Sequence, residues 1–487
     1  MGEKNSAFVG EGDGKTKFIT PGNLNSALMD FASIYSYKRV GSDKTASGSR
    51  SGFQRDYDRL IFSSAFRRLQ NKTQVFPLPD LAFVHNRLTH SLEVASVGRS
   101  LGKMVGEEIA LPFKNNNEDA YEFYKYELAN VIAAACLAHD IGNPAFGHSG
   151  EKAISAYFHD NANQEIDGKK LQSFFSEKEW CDVCHFEGNA NALRILTRSF
   201  RGRFKGGFGL TYTTLASILK YPCEAVAIDK RFKHRKKFGF FQAEKETVSA
   251  IAHELNMVLE SNEPLIYKRH PFVYLVEAAD DICYRIIDME DGHRLGIVAK
   301  DEIVSLFVDV IRSVNRPEEN WEKAYKYYND IEDKNESIAF LRAKVINVLT
   351  LQSVDLFLEN RHSILDGNFN DTLIDSIEGN CEPLKKIAKL SLERIYQHDT
   401  VMQIEIAGYN VLSELMQLFI PALLKERPSH KEQMVLRLVP YQFTEFEKTD
   451  SGYEKVMSTL DFLSGMTDIY ATEFYRRLKG IVIPQHG

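Results

Sequence analysis

The chain has 487 residues, 44% hydrophobic and 26% charged, a composition typical of a globular protein with a large core and not of a disordered chain. The formal net charge of −7 excludes a surface uniformly coated by nucleic acid, although it is compatible with a local basic patch. No apolar run in the sequence approaches the ~20 residues that a membrane helix needs, and six cysteines suit a reducing compartment. We therefore expect a cytoplasmic protein and no membrane partner.

The first 25 residues are polar and rich in glycine, which predicts a flexible N-terminal arm. Inside this arm, Gly10 to Thr16 resembles a phosphate-binding loop. The spacing does not match, because three residues separate Gly10 from Gly14 where the motif has four. We interpret the similarity as coincidental.

From about residue 55 onward, apolar residues recur at helical spacing, as in Val94, Val97 and Leu101. Alternating patterns typical of strands are scarce. Beyond residue 300, long amphipathic segments with few Gly or Pro continue to the C-terminal end. We therefore predict a mainly α fold, with a helical core over residues 26–300 and an additional helical region over residues 301–487 that completes the body and supplies oligomer contacts.

One predicted helix starts near Leu128 and ends at His139 and Asp140, because Gly142 can adopt a left-handed cap and Pro144 cannot continue a helix. Adjacent helical residues point about 100° apart, close to the angle between neighbouring ligands of an octahedral ion. A lone His-Asp pair is usually a solvated surface pair. This pair ends an apolar helix, where buried polar groups need partners or a metal ion.

Two basic segments follow, over residues 198–205 and 230–237. Such segments are often solvated loops. The functional alternative is a site for a triphosphate or a nucleic-acid backbone, since either requires several cations around closely spaced negative charges.

Two further groups complete a predicted metal site. His90 lies at the start of an amphipathic helix, and Asp280 lies beside Asp281 within an apolar helix, where two carboxylates are costly unless a cation compensates them. Two imidazoles and two carboxylates suit Mn, Fe, Co, Ni or Zn, with Mg when substrate phosphates supply more oxygens. On the same helix, Tyr284 and Asp288 follow Asp280 at four-residue spacing, which predicts one face that meets a substrate.

Several segments, in this order, resemble the motifs of the deoxyguanosinetriphosphate triphosphohydrolase family, which belongs to the HD-domain phosphohydrolases. They are residues 55–59, 66–69, 72–75, 87–91, 139–140, 186–190, 219–222, 279–282 and 461–470. The resemblance therefore spans most of the chain. Ala145, Asn191 and residues 209–212 depart from the family pattern, so the resemblance says least about the base of the nucleotide.

The resemblance implies that the core over residues 26–300 is an HD-domain helical bundle that binds one divalent metal ion per subunit. Mn²⁺ or Mg²⁺ are the first expectations, followed by Fe, Co, Ni or Zn. It also implies hydrolysis of a deoxynucleoside triphosphate (dNTP), with dGTP favoured, to the deoxynucleoside and triphosphate by attack of water on the α-phosphorus. The implied metal ligands are His90, His139, Asp140 and Asp280, and the implied catalytic residues are His148 and, as its orienting partner, Glu151.

The resemblance further assigns residues to the substrate. The residues matched to the triphosphate are Lys220, Tyr221 and Lys237, and Asn189 lies in another active-site motif. The residues matched to the deoxyribose are Gln74, Tyr284 and Asp288. Val75 is matched to the edge of the base. A ring packed under the sugar would leave no space for a 2′-hydroxyl. The family also implies homo-oligomers, among them hexamers, and regulation by single-stranded DNA or by dNTP effectors.

Two alternatives stay open. The first is an HD-family phosphodiesterase or nucleotidase that acts on another nucleotide. The second is a binding protein that responds to dNTPs or single-stranded DNA without turnover. The complete set of predicted ligands together with His148 favours an enzyme, since a pure binder has no need of a centre that activates water.

Overall fold

The computed structural model describes residues 29–42, 50–76, 84–202, 205–314 and 321–482. Within these ranges the protein is mainly α-helical and has two small antiparallel sheets of two strands each, which confirms the predicted fold class. The arm predicted over residues 1–25 lies outside the described residues.

The described chain has eleven α-helices before residue 300, and the predicted metal ligands lie on or next to three of them. The eleven helices are α1 (Gly52–Ile61), α2 (Ser64–Arg68), α3 (Arg87–Ala110), α4 (Glu118–Glu122), α5 (Leu128–Ala138), α6 (His148–Asp160), α7 (Glu177–Cys184), α8 (Gly188–Thr197), α9 (Tyr212–Ile218), α10 (Lys245–Glu254) and α11 (Val273–Arg294). The strands pair as hairpins, β1 (Glu165–Ile166) with β2 (Lys169–Lys170) and β3 (Leu259–Asn262) with β4 (Leu265–Tyr267).

The helices after residue 300 include the longest ones of the described chain. They are α12 (Lys300–Val314), α13 (Trp321–Asn329), α14 (Lys334–Glu359), α15 (Arg361–Leu365), α16 (Leu373–Asn380), α17 (Glu382–Leu390), α18 (Asp399–Leu424), α19 (His430–Arg437), α20 (Gly452–Ser464) and α21 (Asp468–Leu478).

Helices α3 and α5 pack unusually closely. Their contact side carries two glycines of α3 where a side chain would not fit: a Cβ on Gly98 would lie 2.4 Å from Cys136 Sγ, and one on Gly102 would lie 3.0 Å from Ala129 Cα. Asn86 caps the start of α3 in a reciprocal capping box with Thr89. This packing and capping hold the first turn of α3, which carries His90, near His139, which directly follows α5.

The buried apolar residues form two clusters. One is centred on α3, α5 and α11, and helices α12, α14, α16 and α17 add to it. The other joins α6 to α18, α20 and α21. Helices after residue 300 therefore enter both clusters, and neither cluster ends at residue 300. The predicted division into regions 26–300 and 301–487 stays a prediction.

Helices α14 and α18 are long and apolar enough to cross a membrane by length and composition. Both contain an 18-residue window with a mean hydropathy of 1.2, and half of each window is buried inside the protein. The core helices of globular proteins meet the same criterion, so these two helices are weak evidence for a membrane segment.

Candidate active site

Three of the four predicted metal ligands meet where α3, α5 and α11 converge. His90 lies in the first turn of α3, His139 directly follows α5, and Asp280 lies in the middle of α11. One ligand atom from each residue lies within 4.8 Å of the other two. Asp280 Oδ1 is 3.1 Å from His90 Nε2 and 3.5 Å from His139 Nε2. Two imidazoles and one carboxylate at these separations form a donor set suited to a divalent transition metal.

The His139 ring offers one nitrogen to the protein and one to the centre of this cluster. Its Nδ1 lies 2.6 Å from the carbonyl oxygen of Cys136 and donates to it, which fixes the ring. Its Nε2 is buried and makes no hydrogen bond within ordinary geometry to any described residue, and its nearest acceptors are the carboxylates of Asp280 at 3.5 Å and Asp140 at 3.6 Å. An unpartnered buried nitrogen is unfavourable unless an ion or ligand satisfies it, so the residues present fit a metal ion.

Asp140, the fourth predicted ligand, borders this cluster. Its Oδ1 lies 3.6 Å from His139 Nε2 and accepts a hydrogen bond from Asn143 Nδ2 at 2.5 Å. Its Oδ2 accepts a hydrogen bond from Arg87 Nη1 at 2.9 Å. Asp140 is therefore close to the cluster but is also engaged by two other side chains, and its role as a ligand stays a prediction.

The electrostatics of the cluster favour a cation. Burial works to raise the pKa of the Asp280 carboxyl, but His139 and His90 outweigh burial and hold that pKa well below its ordinary range. Burial likewise works to lower the pKa of the His139 imidazole, but Asp140 and Asp280 outweigh it and raise that pKa to about 9. Without a metal ion, His139 therefore keeps a proton at neutral pH, and metal binding must displace this proton.

A cavity of about 610 Å³ opens beside the cluster, a size typical of a site for a nucleotide-sized ligand. Nearly every residue predicted for the site lines it. These are Gln74, Val75, His139, Asp140, His148, Glu151, Asn189, Lys220, Tyr221, Lys237, Asp280 and Tyr284. His90 and Asp288 are not among the lining residues, because both side chains are buried in the wall behind it.

His148 is the first residue of α6 and reaches the cavity through a tight turn. Phe146 and Gly147 in this turn have positive φ angles of 63° and 56°, and a Cβ on Gly147 would lie 2.5 Å from Arg87 Nη2. The imidazole is accessible to solvent in the cavity and makes no hydrogen bond to any described residue. Enclosure by the cavity walls and the nearby cations Lys237 and Arg87 lower its pKa to about 4. His148 is therefore neutral at physiological pH, with a ring nitrogen free to accept a hydrogen bond from water.

Glu151 follows His148 by three residues on α6 and is buried. Its Oε1 accepts a hydrogen bond from the backbone N–H of Gly188 at 2.8 Å, and its Oε2 lies 3.9 Å from Lys237 Nζ. Burial raises the pKa of its carboxyl. No hydrogen bond joins Glu151 to His148 within the described chain, so the predicted orienting contact between them stays a prediction.

Cations line one side of the cavity. Lys220 Nζ lies 3.2 Å from Glu277 Oε1, and Lys237 Nζ lies 2.8 Å from Glu187 Oε2. Burial works to lower the pKa of both lysines, but Glu277 beside Lys220, and Glu151 and Glu187 beside Lys237, raise both pKa values. Both lysines are therefore charged at neutral pH and face the space where a substrate would lie.

Tyr284 and Tyr396 form an aromatic wall on another side. Their rings stack with centroids 5.4 Å apart and planes inclined by 19°. The Tyr396 hydroxyl donates to Asp288 Oδ2 at 2.8 Å, so Asp288 supports the wall from behind. Gln74 also lines the cavity, and its Oε1 is buried without a hydrogen-bond partner among the described residues.

The structure adds lining residues to which we assigned no role from the sequence, among them Arg87, Lys152, Glu187 and Tyr396, and it places Lys236 of the basic segment 230–237 there as well. Lys152 and Lys236 are exposed and make no ion pair with any described residue. Lys152 lies four residues after His148 on one helix, and a helical projection of the sequence would have found it. Tyr396 is remote from Tyr284 in the chain, and no sequence signal connects the two.

The chain matches known protein families in two regions. Residues 87–219 match the HD domain family, and residues 375–477 match the phosphohydrolase-associated domain. The chain is 36% identical over 467 residues to a deoxyguanosinetriphosphate triphosphohydrolase-like protein of Synechocystis sp., covering 93% of this chain and 100% of that protein.

A deoxyguanosinetriphosphate triphosphohydrolase-like protein of Listeria monocytogenes is 34% identical, over 89% of this chain and 94% of its own length. A deoxyguanosinetriphosphate triphosphohydrolase of Salmonella schwarzengrund is 30% identical, over 88% of this chain and 94% of its own length. Each of these three alignments covers at least 88% of this chain.

Proposed function

Because the chain belongs to the deoxyguanosinetriphosphate triphosphohydrolase family of HD-domain phosphohydrolases, we propose that it hydrolyses a dNTP to the deoxynucleoside and triphosphate, with dGTP preferred. Membership of this family makes the chain a hydrolase of the nucleotide triphosphohydrolase type. The base, the bond that is cleaved and the role of each residue are the proposal.

One observation carries this proposal. The unpartnered Nε2 of His139 belongs to a cluster that opens onto a cavity of about 610 Å³, and the same cavity contains an exposed, neutral His148 and a wall of lysines. A metal-ligand cluster, a proton acceptor and cations for phosphate are thus assembled around one space of nucleotide size.

We assign the divalent metal ion to His90, His139, Asp140 and Asp280, where, when bound, it would supply Lewis acidity toward a phosphate oxygen and toward water. Manganese or magnesium is the first expectation, and Fe, Co, Ni or Zn would also suit the donor set. Arg87 holds Asp140 in place through its hydrogen bond of 2.9 Å.

His148 is proposed to move the proton. It accepts a proton from the water whose oxygen bonds to the α-phosphorus, and it returns this proton to the 5′ oxygen as the bond between that oxygen and phosphorus breaks. The products are then a deoxynucleoside with an intact 5′-hydroxyl and triphosphate. Glu151 acts indirectly, since it holds Gly188 and lies 3.9 Å from Lys237.

Lys220, Tyr221, Lys237 and Asn189 are proposed to bind the triphosphate, because cations and polar groups on one wall can offset its charge. The deoxyribose would be bound by two other groups. These are the Tyr284 ring, which packs on Tyr396, and the amide oxygen of Gln74. Such a wall leaves little space for a 2′-hydroxyl. Asp288 would contribute through Tyr396, and Val75 is proposed to contact the base.

The family also motivates proposals about the assembly. We propose that the protein acts in the cytoplasm as a homo-oligomer, with a hexamer as the first state to test, and that single-stranded DNA or a second dNTP regulates it. Sedimentation would establish the stoichiometry. Binding of an oligonucleotide at low salt, weakened as salt rises, would support a nucleic-acid effector, and no binding at low salt would reject it.

The test is a product assay with each of the four dNTPs in water enriched in ¹⁸O, with Mn²⁺ and Mg²⁺ compared. We expect a deoxynucleoside and triphosphate, with the heavy oxygen in triphosphate, because water bonds to the α-phosphorus. Release of orthophosphate or pyrophosphate, or label in the deoxynucleoside, would reject the proposed bond. Turnover of a monophosphate or cyclic nucleotide instead would favour another phosphohydrolase, and binding without turnover would favour a sensor.

A further inference from the structure

One carboxylate from the C-terminal region joins two walls of the cavity. Asp468, the first residue of α21, accepts a hydrogen bond from Thr73 N to its Oδ2 at 2.8 Å and one from Phe146 N to its Oδ1 at 2.8 Å. Thr73 directly precedes Gln74, and Phe146 lies two residues before His148. The Asp468 side chain therefore binds both the segment that contains Gln74 and the turn that precedes His148.

Helix α21 does not use this carboxylate for its own capping. Thr467 occupies the capping position, and its hydroxyl accepts the hydrogen bond from Tyr470 N at 3.2 Å. Asp468 is only 6% exposed. Burial of a carboxylate is unfavourable unless its oxygens are satisfied, and here the two backbone N–H groups of the cavity segments satisfy them. Asp468 therefore serves the cavity rather than the helix.

The Phe146 turn needs such support. Its φ of 63° lies in a region that side chains other than glycine rarely adopt, and such a conformation persists only when the surroundings impose it. Asp468 binds its N–H, and Gly408 of α18 makes room for its side chain, since a Cβ on Gly408 would lie 2.4 Å from Phe146 Cβ. Two C-terminal helices thus impose the turn that begins α6 at His148.

A lysine ties the same parts together. Lys72 Nζ donates to the carbonyl oxygen of Asn143 at 2.5 Å and to that of Ser464 at 3.2 Å, and its side chain is buried. Asn143 belongs to the His148 loop and Ser464 ends α20. Burial lowers the pKa of the Lys72 ammonium group to about 7, and Asp468 works against this shift. The clamp therefore consists of the hydrogen bonds that Lys72 and Asp468 make between the two cavity segments and the C-terminal helices.

We propose that Asp468 is a positioning residue for the hydrolysis: it holds the Phe146 turn so that His148 faces the cavity and holds Thr73 so that Gln74 faces it. It contacts none of the predicted metal ligands. The catalytic part of this inference rests on the proposed function, whereas the positioning part can be measured without turnover.

The variant that tests it is Asp468→Asn, with Asp461→Asn as the matched control. Asparagine keeps the shape but places an NH₂ donor against one of the two backbone donors. Asp461 is likewise a buried aspartate of the C-terminal region, but it binds Arg194 Nε at 2.6 Å and none of the cavity segments. Both variants weaken the attachment of α20 and α21, and only one alters the clamp.

Hydrogen exchange followed by mass spectrometry supplies the readout that does not depend on activity. In Asp468→Asn we expect exchange in peptides containing Thr73 and Phe146 to accelerate about 10- to 100-fold, because an N–H bond to a charged acceptor is lost. The α5 peptide over residues 128–138 should not change. In Asp461→Asn, exchange at Thr73 and Phe146 should stay within about threefold of wild type, which is the scatter expected when no hydrogen bond to these amides is lost.

The kinetic readout separates positioning from general loss of stability. For Asp468→Asn we expect kcat to fall about 10- to 100-fold, since displacing a catalytic group by about 1 Å has this effect, while metal affinity changes less than about threefold. Asp461→Asn should lower the melting temperature but keep kcat within about threefold, because it leaves the near-attack geometry intact. Equal kcat values in the two variants, or unchanged exchange in Asp468→Asn, would overturn the proposal.

Two further outcomes are informative. Faster exchange at both amides in a protein whose wild type hydrolyses no dNTP would reject the proposed function and retain the clamp. If Asp468→Asn does not fold, Asp468→Ser, which keeps one hydroxyl acceptor and buries no charge, takes its place. The same exchange pattern is then expected, and its absence counts against the clamp.

Discussion

The helical centre formed by α3, α5 and α11 and the C-terminal helices α18, α20 and α21 contribute to the same cavity in different ways. The centre carries the predicted metal ligands His90, His139 and Asp280, whose ligand atoms lie within 4.8 Å of one another. The C-terminal helices supply one wall and the clamp on the His148 turn. The predicted metal ligands and the groups that position the His148 turn therefore come from separate stretches of the chain.

The largest effect on activity is expected when a predicted metal ligand is removed from the helical centre. Asp280→Ala leaves the His90 and His139 imidazoles without their shared carboxylate, so we expect loss of the bound metal ion and a fall in kcat of about 1,000-fold or more. Metal content by elemental analysis and kcat would be measured together. The control is Asp375→Asn, a paired aspartate outside the cavity, which should keep its metal. Full metal content in Asp280→Ala would contradict the site.

The next largest fall in kcat is expected for a substitution of His148, which lies between the helical centre and the C-terminal helices. His148→Ala should lower kcat by about 100- to 1,000-fold through loss of the proton acceptor, with metal content unchanged, because His148 contacts no predicted ligand. His159→Ala on the same helix, with an imidazole 81% exposed, is the matched control and should match wild type. A His148→Ala protein that turns over at the wild-type rate would remove His148 from the mechanism.

A pH titration tests the centre alone. The pKa of His139 is raised to about 9 in the protein without metal, so a proton competes with the ion below that pH. Apparent Mn²⁺ affinity should therefore rise by up to about tenfold per pH unit between pH 7 and 9, and should level off above pH 9. Calorimetric titration at several pH values measures this slope. A flat profile would show that His139 releases no proton to the ion.

The smallest effect is expected at the cavity mouth. Lys152→Ala or Lys236→Ala should raise KM for dGTP about two- to fivefold and leave kcat nearly unchanged, because exposed cations attract the triphosphate only through solvent. The difference from wild type should shrink as salt rises. The exposed Lys386, which lies outside this cavity, is the control as Lys386→Ala. A salt-independent change in KM would indicate a direct, desolvated contact instead.

The sequence predicted the helical centre well because its signals are local. Residue type and spacing were sufficient to predict an apolar helix followed by His139 and Asp140. They were also sufficient to predict a carboxylate inside the helix that contains Leu275. The resemblance to known motifs then identified lining residues as distant as Lys237 and Tyr284, and the structure places both at the cavity.

The rest was not predictable because it depends on packing between remote segments. The stacking of Tyr396 on Tyr284 and the contact of Asp468 with Thr73 and Phe146 leave no periodic pattern. Spacing and the family resemblance suggested Asp288 as a substrate contact, whereas its buried side chain accepts a hydrogen bond from Tyr396, so that contact stays a prediction. Hydrogen bonds of this kind are set by the tertiary fold alone.

The close approach of α3 to α5 also bears on the distance between the two predicted imidazole ligands. Gly98 lies two helical turns from His90, and a methyl group there would overlap Cys136 Sγ at 2.4 Å. A larger residue at this position would push α3 away from α5 and so move His90 relative to His139. The distance between these two imidazoles therefore depends on a position that carries no functional group.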